Sequence, residues 1–179
     1  MDRTRRLIGA LVVVIVTALV VLVVTVRPGL RRDADATDTS WAPLVAPLSE
    51  RYAALEKVSA ALQAAGAGDR TLTAEMNRLL TRWKIIRTGD NAEEQVLTAN
   101  RLEAVAARAE VLATTPRLRA DQPLKDALAE FVASRPAATT LEGYERDVVA
   151  YQGRRDGFWG RIVSGLDDYP MRPALQLLA

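Results

Sequence analysis

The residues with most chemical reach in this chain are carboxylates. Glu142, Glu145 and Asp147 fall close together, and Glu142 and Glu145 are three apart, so a helix would set them on one face. A hard-cation site or an acid/base pair needs that arrangement. The same stretch also carries Arg146, Arg154 and Arg155, and mixed charge of this kind is the ordinary pattern of a solvated helix face. There is no His and no Cys, so no Ser-His or Cys-His nucleophile can be assembled and zinc or copper would lack its usual ligands. Gly66-Ala67-Gly68 is followed by Asp69, not by the Lys-Ser or Lys-Thr pair of a phosphate-binding loop. The reading is of a protein that is not an enzyme, with no catalytic residues, no cofactor and no metal.

Aromatic residues offer binding in place of catalysis. Tyr144, Tyr151, Phe158 and Trp159 form a stripe near helical spacing, which suits either a bundle core or a recognition face, with core the more usual outcome. Trp159 is out of phase with Phe158 and is therefore a candidate partner contact. Tyr169 is the second, in a tail that reads Asp167-Asp168-Tyr169-Pro170-Met171-Arg172-Pro173 and ends with Leu175, Leu177 and Leu178. That tail, residues 167–179, either packs back over the domain or binds a partner. Gln95 and Asn100 suit either a buried polar contact or the surface, with the surface the more usual place.

Helices are the elements available to position these residues. Trp41, Leu44, Leu48, Tyr52, Leu55, Val58 and Leu62 recur at threes and fours, predicting a helix from about residue 41, with Pro43 in its first turn and Pro47 delaying its start. Gly66 to Gly68 ends it, and Asp69 is placed to cap a second helix bearing Leu72, Met76, Leu79, Trp83 and Ile86. After Gly89, Asp90 and Glu93 make a capping-box-like start for a third, with Val96, Leu102, Val105, Ala109 and Leu112 inward until Thr114-Thr115-Pro116. A shorter helix from Asp121 presents Leu124, Leu128 and Phe131. Beyond Pro136 a last helix, restarting near Thr139 or continuing through a kink, carries Leu141, Tyr144, Val148, Tyr151, Phe158 and Ile162. No credible strand occurs. The fold class is all-α: an N-terminal transmembrane helix, then an antiparallel bundle of about four long helices over 41–166.

The transmembrane reading rests on Leu7 to Val26, 20 residues without a charge, long enough as a helix to span roughly 30 Å of hydrocarbon. A cleaved signal peptide is the rival, but such apolar cores run to about 7–15 residues and close on small residues, whereas this one ends in Val26-Arg27-Pro28-Gly29. Residues 1–6 form a short flank and 27–40, polar and poor in apolar residues, a linker. Residues 1–32 hold six Arg against Asp2, a formal +5, which leaves 18 basic and 21 acidic residues, −3, for the rest. The high pI thus belongs to the membrane flanks, and nucleic acid is not an expected partner. Arg3, Arg5 and Arg6 before the helix nearly balance Arg27, Arg31 and Arg32 after it; the free amino terminus tips the orientation to N-terminus inside, domain outside the cytoplasm.

On these elements the chain resembles the LemA family of bacterial membrane-anchored proteins. The likeness is carried by an anchor followed closely by Trp41 with Leu48, Arg51, Leu55 and Val58, then by Gln95, Ala99, Asn100 and Leu102 ahead of Pro116 and Leu118. Tyr144, Val148, Tyr151 and Phe158 resemble the family's terminal helix. Glu145 and Gln152 stand where Asn follows Tyr in that family, Trp159 replaces a Pro, and an Ile-Pro-Asn-Leu stretch is missing, so the resemblance is to a divergent member. It implies a long four-helix bundle at the cell membrane and no enzymatic activity.

The expected function is accordingly a single-pass membrane protein whose coiled-coil-like bundle is a non-enzymatic interaction or structural module at the cell envelope. Its partners are the lipid bilayer, through residues 7–26, and a protein or a second copy of the chain. The alternative is an extracytoplasmic ligand-binding or sensory module with a pocket between helices.

Overall fold

The computed structural model describes residues 2–66, 70–167 and 169–177; the side chains of residues 2–10, 12, 15, 18, 19, 21–23 and 166 are outside that set. Ala67, Gly68 and the capping expectation for Asp69 lie outside the described residues, as do Asp168 and Leu178. The regular elements of the described residues are all helices, without strands: α1 Asp2–Ala64, α2 Arg70–Ile86, α3 Ala92–Ala113, α4 Gln122–Ala133, α5 Ala138–Asp156 and α6 Phe158–Asp167.

A single heptad column organises the bundle. Along α1, Leu30, Ala34, Thr37, Trp41, Leu44, Leu48, Arg51, Leu55, Val58 and Leu62 alternate in steps of four and three, and every one is buried. That 3.5-residue repeat keeps one stripe facing the neighbouring helices. Each fully buried Leu in it contributes on the order of 1.5–3 kcal/mol over an exposed one. The α2–α3 hairpin covers one side, buttoned at its surface by Arg82–Glu94 and by Arg108–Glu75 at 2.5 Å. Leu72, Met76, Leu79, Trp83 and Ile86 of α2 and Val96, Leu102, Val105 and Ala109 of α3 point inward as their spacing predicts. α4 and α5 cover the other side, where Phe131, Tyr144 and Val148 are buried against α1.

Several boundaries differ from the sequence expectation. Residues 27–40 are not a linker: they are helix throughout, and Leu30, Ala34 and Thr37 are buried. The stretch reads as polar because small Ala and Thr occupy its heptad positions. Pro28, Pro43 and Pro47 all lie inside α1. Pro43 is exposed and Pro47 half-buried, so the rings lie off the packed stripe; a cost of about 3 kcal/mol per interior proline is met by the packing on either side of it. The start of α3 is capped by Asn91, whose Oδ1 accepts the Glu94 N–H at 3.1 Å, and not by Asp90. Asp121 does cap α4, accepting from the Leu124 N–H at 2.9 Å. The last expected helix is two: it breaks at Gly157, Phe158 is exposed, and Val163 takes the buried place in α6.

The described apolar side chains in the first part of α1 lie outside the bundle core. Leu11, Val13, Val14, Val16, Val20 and Val24 are exposed, and the core begins at Val26 and Leu30. Among the described residues no helix is long and apolar enough to cross a membrane; much of segment 7–26 falls on side chains outside that set.

Candidate interaction surface

Two regions hold the residues that could act: the end of the bundle where α5, α6 and the tail meet α1, and a buried charge pair at its centre.

At the end of the bundle, α5 runs antiparallel to α1. Tyr144 packs on Trp41 with ring centroids 5.2 Å apart, the Thr37 hydroxyl donates to the Asp147 carbonyl at 3.4 Å, and Arg154 pairs with Asp33 at 2.7 Å. A Cβ at Gly29 would meet the Arg154 guanidinium, so the glycine lets that arginine lie close across the helix. α6 then crosses α1 as a foot. Val163 packs with Leu30, Ala34 and Tyr151, Val26 joins the same small cluster, and Asp167 pairs with Arg27 at 2.7 Å. On the outer side of this foot Phe158 is 72% and Trp159 48% exposed, stacked edge-on at 4.7 Å.

The tail packs back over the bundle. It is held by side chains that grip its backbone: Tyr151 and Tyr144 hydroxyls donate to the carbonyls of Pro170 (2.6 Å) and Pro173 (2.8 Å), and Gln152 Nε2 donates to that of Arg172 (2.7 Å). Asn100 bonds both ways, its Nδ2 to the Ala174 carbonyl at 2.9 Å and its Oδ1 from the Gln176 N–H at 2.8 Å. Arg172 pairs with Asp38 at 2.8 Å, and Leu175 enters the core. Extended backbone rich in proline has no ladder of its own, so these side chains supply its partners. Asn100, expected at the surface, is half-exposed and spent on the tail. Tyr169 is half-buried: its hydroxyl reaches the Arg27 carbonyl at 3.5 Å and its own carbonyl accepts from Arg155 at 3.3 Å. A shallow hollow of about 730 Å³ lies between Tyr169 and α1, and two of its cations, Arg27 and Arg172, are already paired with Asp167 and Asp38.

At the centre, Arg51 and Glu103 form a fork-to-fork ion pair at 2.8 and 2.9 Å, each side chain 2% exposed. The third guanidinium edge donates to the Phe131 carbonyl at 2.8 Å, and the cation lies 3.8 Å from the centre of the Phe131 ring. The Tyr52 phenol beside them is pushed well above its usual range, first by burial and then by the Glu103 charge, against the pull of Arg51. Glu110, one heptad beyond Glu103, is also raised, chiefly by burial. The pair, with its bond to the Phe131 carbonyl, ties together α1, α3 and α4. A second buried polar node joins α1 to α3: Gln95, expected outside, accepts from Trp41 Nε1 at 2.6 Å and donates to the Ile86 and Gly89 carbonyls at 2.9 and 2.8 Å. The signal for both nodes was their heptad phase. Arg51 fills a slot of the α1 column, and Glu103 falls in step between Ala99 and Ala106, small residues that leave it space.

The aromatic stripe divides accordingly. Tyr144 and Tyr151 are core, whereas Phe158 and Trp159 are surface. Glu142 and Glu145 are exposed, and no group of carboxylates with metal-binding geometry occurs among the described residues. Set against models of known protein families, curated proteins and solved structures, the chain matches none.

Proposed function

We propose that this is a LemA-like, single-pass membrane protein whose helical bundle works without catalysis as an interaction or structural module at the cell envelope. The observation that carries the reading is the two-part character of α1. Its first part, within 7–26, is apolar and uncharged in sequence and projects exposed Leu and Val from the bundle; its second part is the bundle's central column. A helix with bare apolar sides in water is unstable, and lipid is the solvent that suits it. The rigid connection of anchor to core, without a linker, holds the bundle close to the bilayer.

The partner is a protein or a second copy of the chain, met on the outward faces of the bundle, with Trp159 as a contact. Tyr169 serves the fold through the tail as well as facing the hollow beside Arg27. The bundle lies outside the cytoplasm. Alkaline carbonate extraction of membranes from cells making the full chain tests the anchor: retention in the pellet is expected, and release into the supernatant overturns it. A C-terminal alkaline phosphatase fusion tests orientation, with high activity expected and an inactive, stable fusion counting against it. Crosslinking in intact cells tests the module; adducts of discrete size are expected, and none would remove the interaction role.

A further inference from the structure

We infer that the α5–α6 elbow is a second membrane contact, in which Phe158 and Trp159 enter the boundary between lipid headgroups and acyl chains beside the point where α1 leaves the bilayer. The inference rests on the reading of residues 7–26 as the anchor, and the occupant it commits to is lipid.

The level of the elbow is fixed by the α1–α5 pairing. Trp41 lies against Tyr144, Thr37 against Asp147, and Arg154 between Asp33 and Gly29. Continued at that antiparallel register, the end of α5 at Asp156 and the break at Gly157 come level with about Gly29, three residues from the end of the apolar stretch at Val26. At 1.5 Å per residue that is roughly 5 Å, less than the reach of a tryptophan side chain. α6 stays at this level along its length, since Val26 packs into its cluster and Arg27 pairs with Asp167 near its far end. A short helix lying across the anchor, with Val163 inward and two large aromatics outward, is the arrangement of an interfacial amphipathic segment.

Charge points the same way. Within residues 27–35 and 154–167 there are six arginines against four aspartates, and Arg31, Arg32 and Arg161 are exposed. Guanidinium groups at this height meet lipid phosphates, and tryptophan favours the same depth because its ring is apolar and its N–H is polar. A solvent-exposed Phe–Trp pair is costly in water and explained at a lipid surface.

The test uses tryptophan emission from the full chain in vesicles of phosphatidylcholine and phosphatidylglycerol. Trp41 and Trp83 are both 2% exposed, so the difference between the native chain and W159F isolates Trp159. Lipid brominated near the headgroup is expected to quench most of that difference signal, whereas aqueous acrylamide quenches little of it. If the chain floats with the vesicles while Trp159 is quenched by acrylamide and not by brominated lipid, the elbow contact is overturned and the anchor stands. If the chain does not float, the anchor fails and the elbow contact with it. F158A/W159A adds an arm independent of emission: with both aromatics removed, hydrogen exchange in α6 of the vesicle-bound chain is expected to rise to its rate in detergent, and unchanged protection refutes the contact.

Discussion

Replacing Glu103 with Ala strands the Arg51 guanidinium in the middle of the bundle. Arg51 keeps its bond to the Phe131 carbonyl and its place by the Phe131 ring, but loses both carboxylate oxygens, 2.8 and 2.9 Å away. An uncompensated buried charge of this kind costs about 3–5 kcal/mol, a large share of the ~5–15 kcal/mol that holds a domain folded. Removing both partners behaves differently. In R51M/E103L no charge is left behind, and the Phe131 carbonyl still accepts from the Ser134 hydroxyl at 2.8 Å. The double variant is therefore expected within about 2 kcal/mol of the native chain, the residual reflecting the lost cation–π contact and imperfect packing. Urea unfolding of the full chain in mild detergent, followed by the emission of the buried Trp41 and Trp83, measures both. E103A midpoints should fall sharply and the double variant should recover most of the loss. A cost below about 1 kcal/mol for E103A, or a double variant as unstable as E103A, would refute the claim that the pair is a desolvated lock on α1, α3 and α4.

Trp41→Phe keeps an aromatic ring but leaves Gln95 Oε1 without its 2.6 Å donor, so a loss of about 1–3 kcal/mol is expected by urea titration followed through Trp83 emission. Gly143→Ala and Gly153→Ala, where an added Cβ meets nothing within 4 Å, should each stabilise α5 by about 0.5–1 kcal/mol. Gly160→Ala should instead destabilise, because its Cβ would overlap the Arg154 and Arg155 carbonyls and force the elbow open; thermal melts of the three variants give opposite signs. The phenols of Tyr52, Tyr144 and Tyr151 are all raised above 10.0, with burial the first cause in each. A raised folded value favours the neutral form, so that stability is complete below pH 10 and is lost as pH climbs above it. Absorbance at 295 nm should show these three ionising only together with unfolding, and early ionisation in the folded chain would contradict their burial.

The Arg51–Glu103 pair also measures how much was legible beforehand. Helical periodicity is strong enough to name the large inward stripe residues of α2, α3 and α4 and the seven of the α1 stripe from Trp41 to Leu62, because a stripe must be buried whichever helix covers it. Type-based reasoning erred where a polar residue occupies a core position. Polarity places Gln95 at the surface although its phase is inward, and polarity makes a linker of the stretch that holds Ala34 and Thr37, which the structure buries. Phe158 is the opposite case: apolar and in step, it lies beyond the break at Gly157 that ends the step, and it is exposed.

Sequence by itself determined that the regular elements are helices, where α2, α3 and α4 lie to within a few residues, which stripes are buried, and that no His- or Cys-based chemistry is available, since these follow from local periodicity and residue inventory. Tertiary structure decided that α1 runs unbroken through Pro28, Pro43 and Pro47, that the tail lies down on the bundle, and that Phe158 and Trp159 face outward at the foot of it. Those outcomes depend on partners far apart in the chain. Packing from α4 and α5 outweighs the proline cost, hydroxyls on α5 satisfy carbonyls some twenty to thirty residues away, and the crowding of Gly160 against Arg154 sets the elbow's angle.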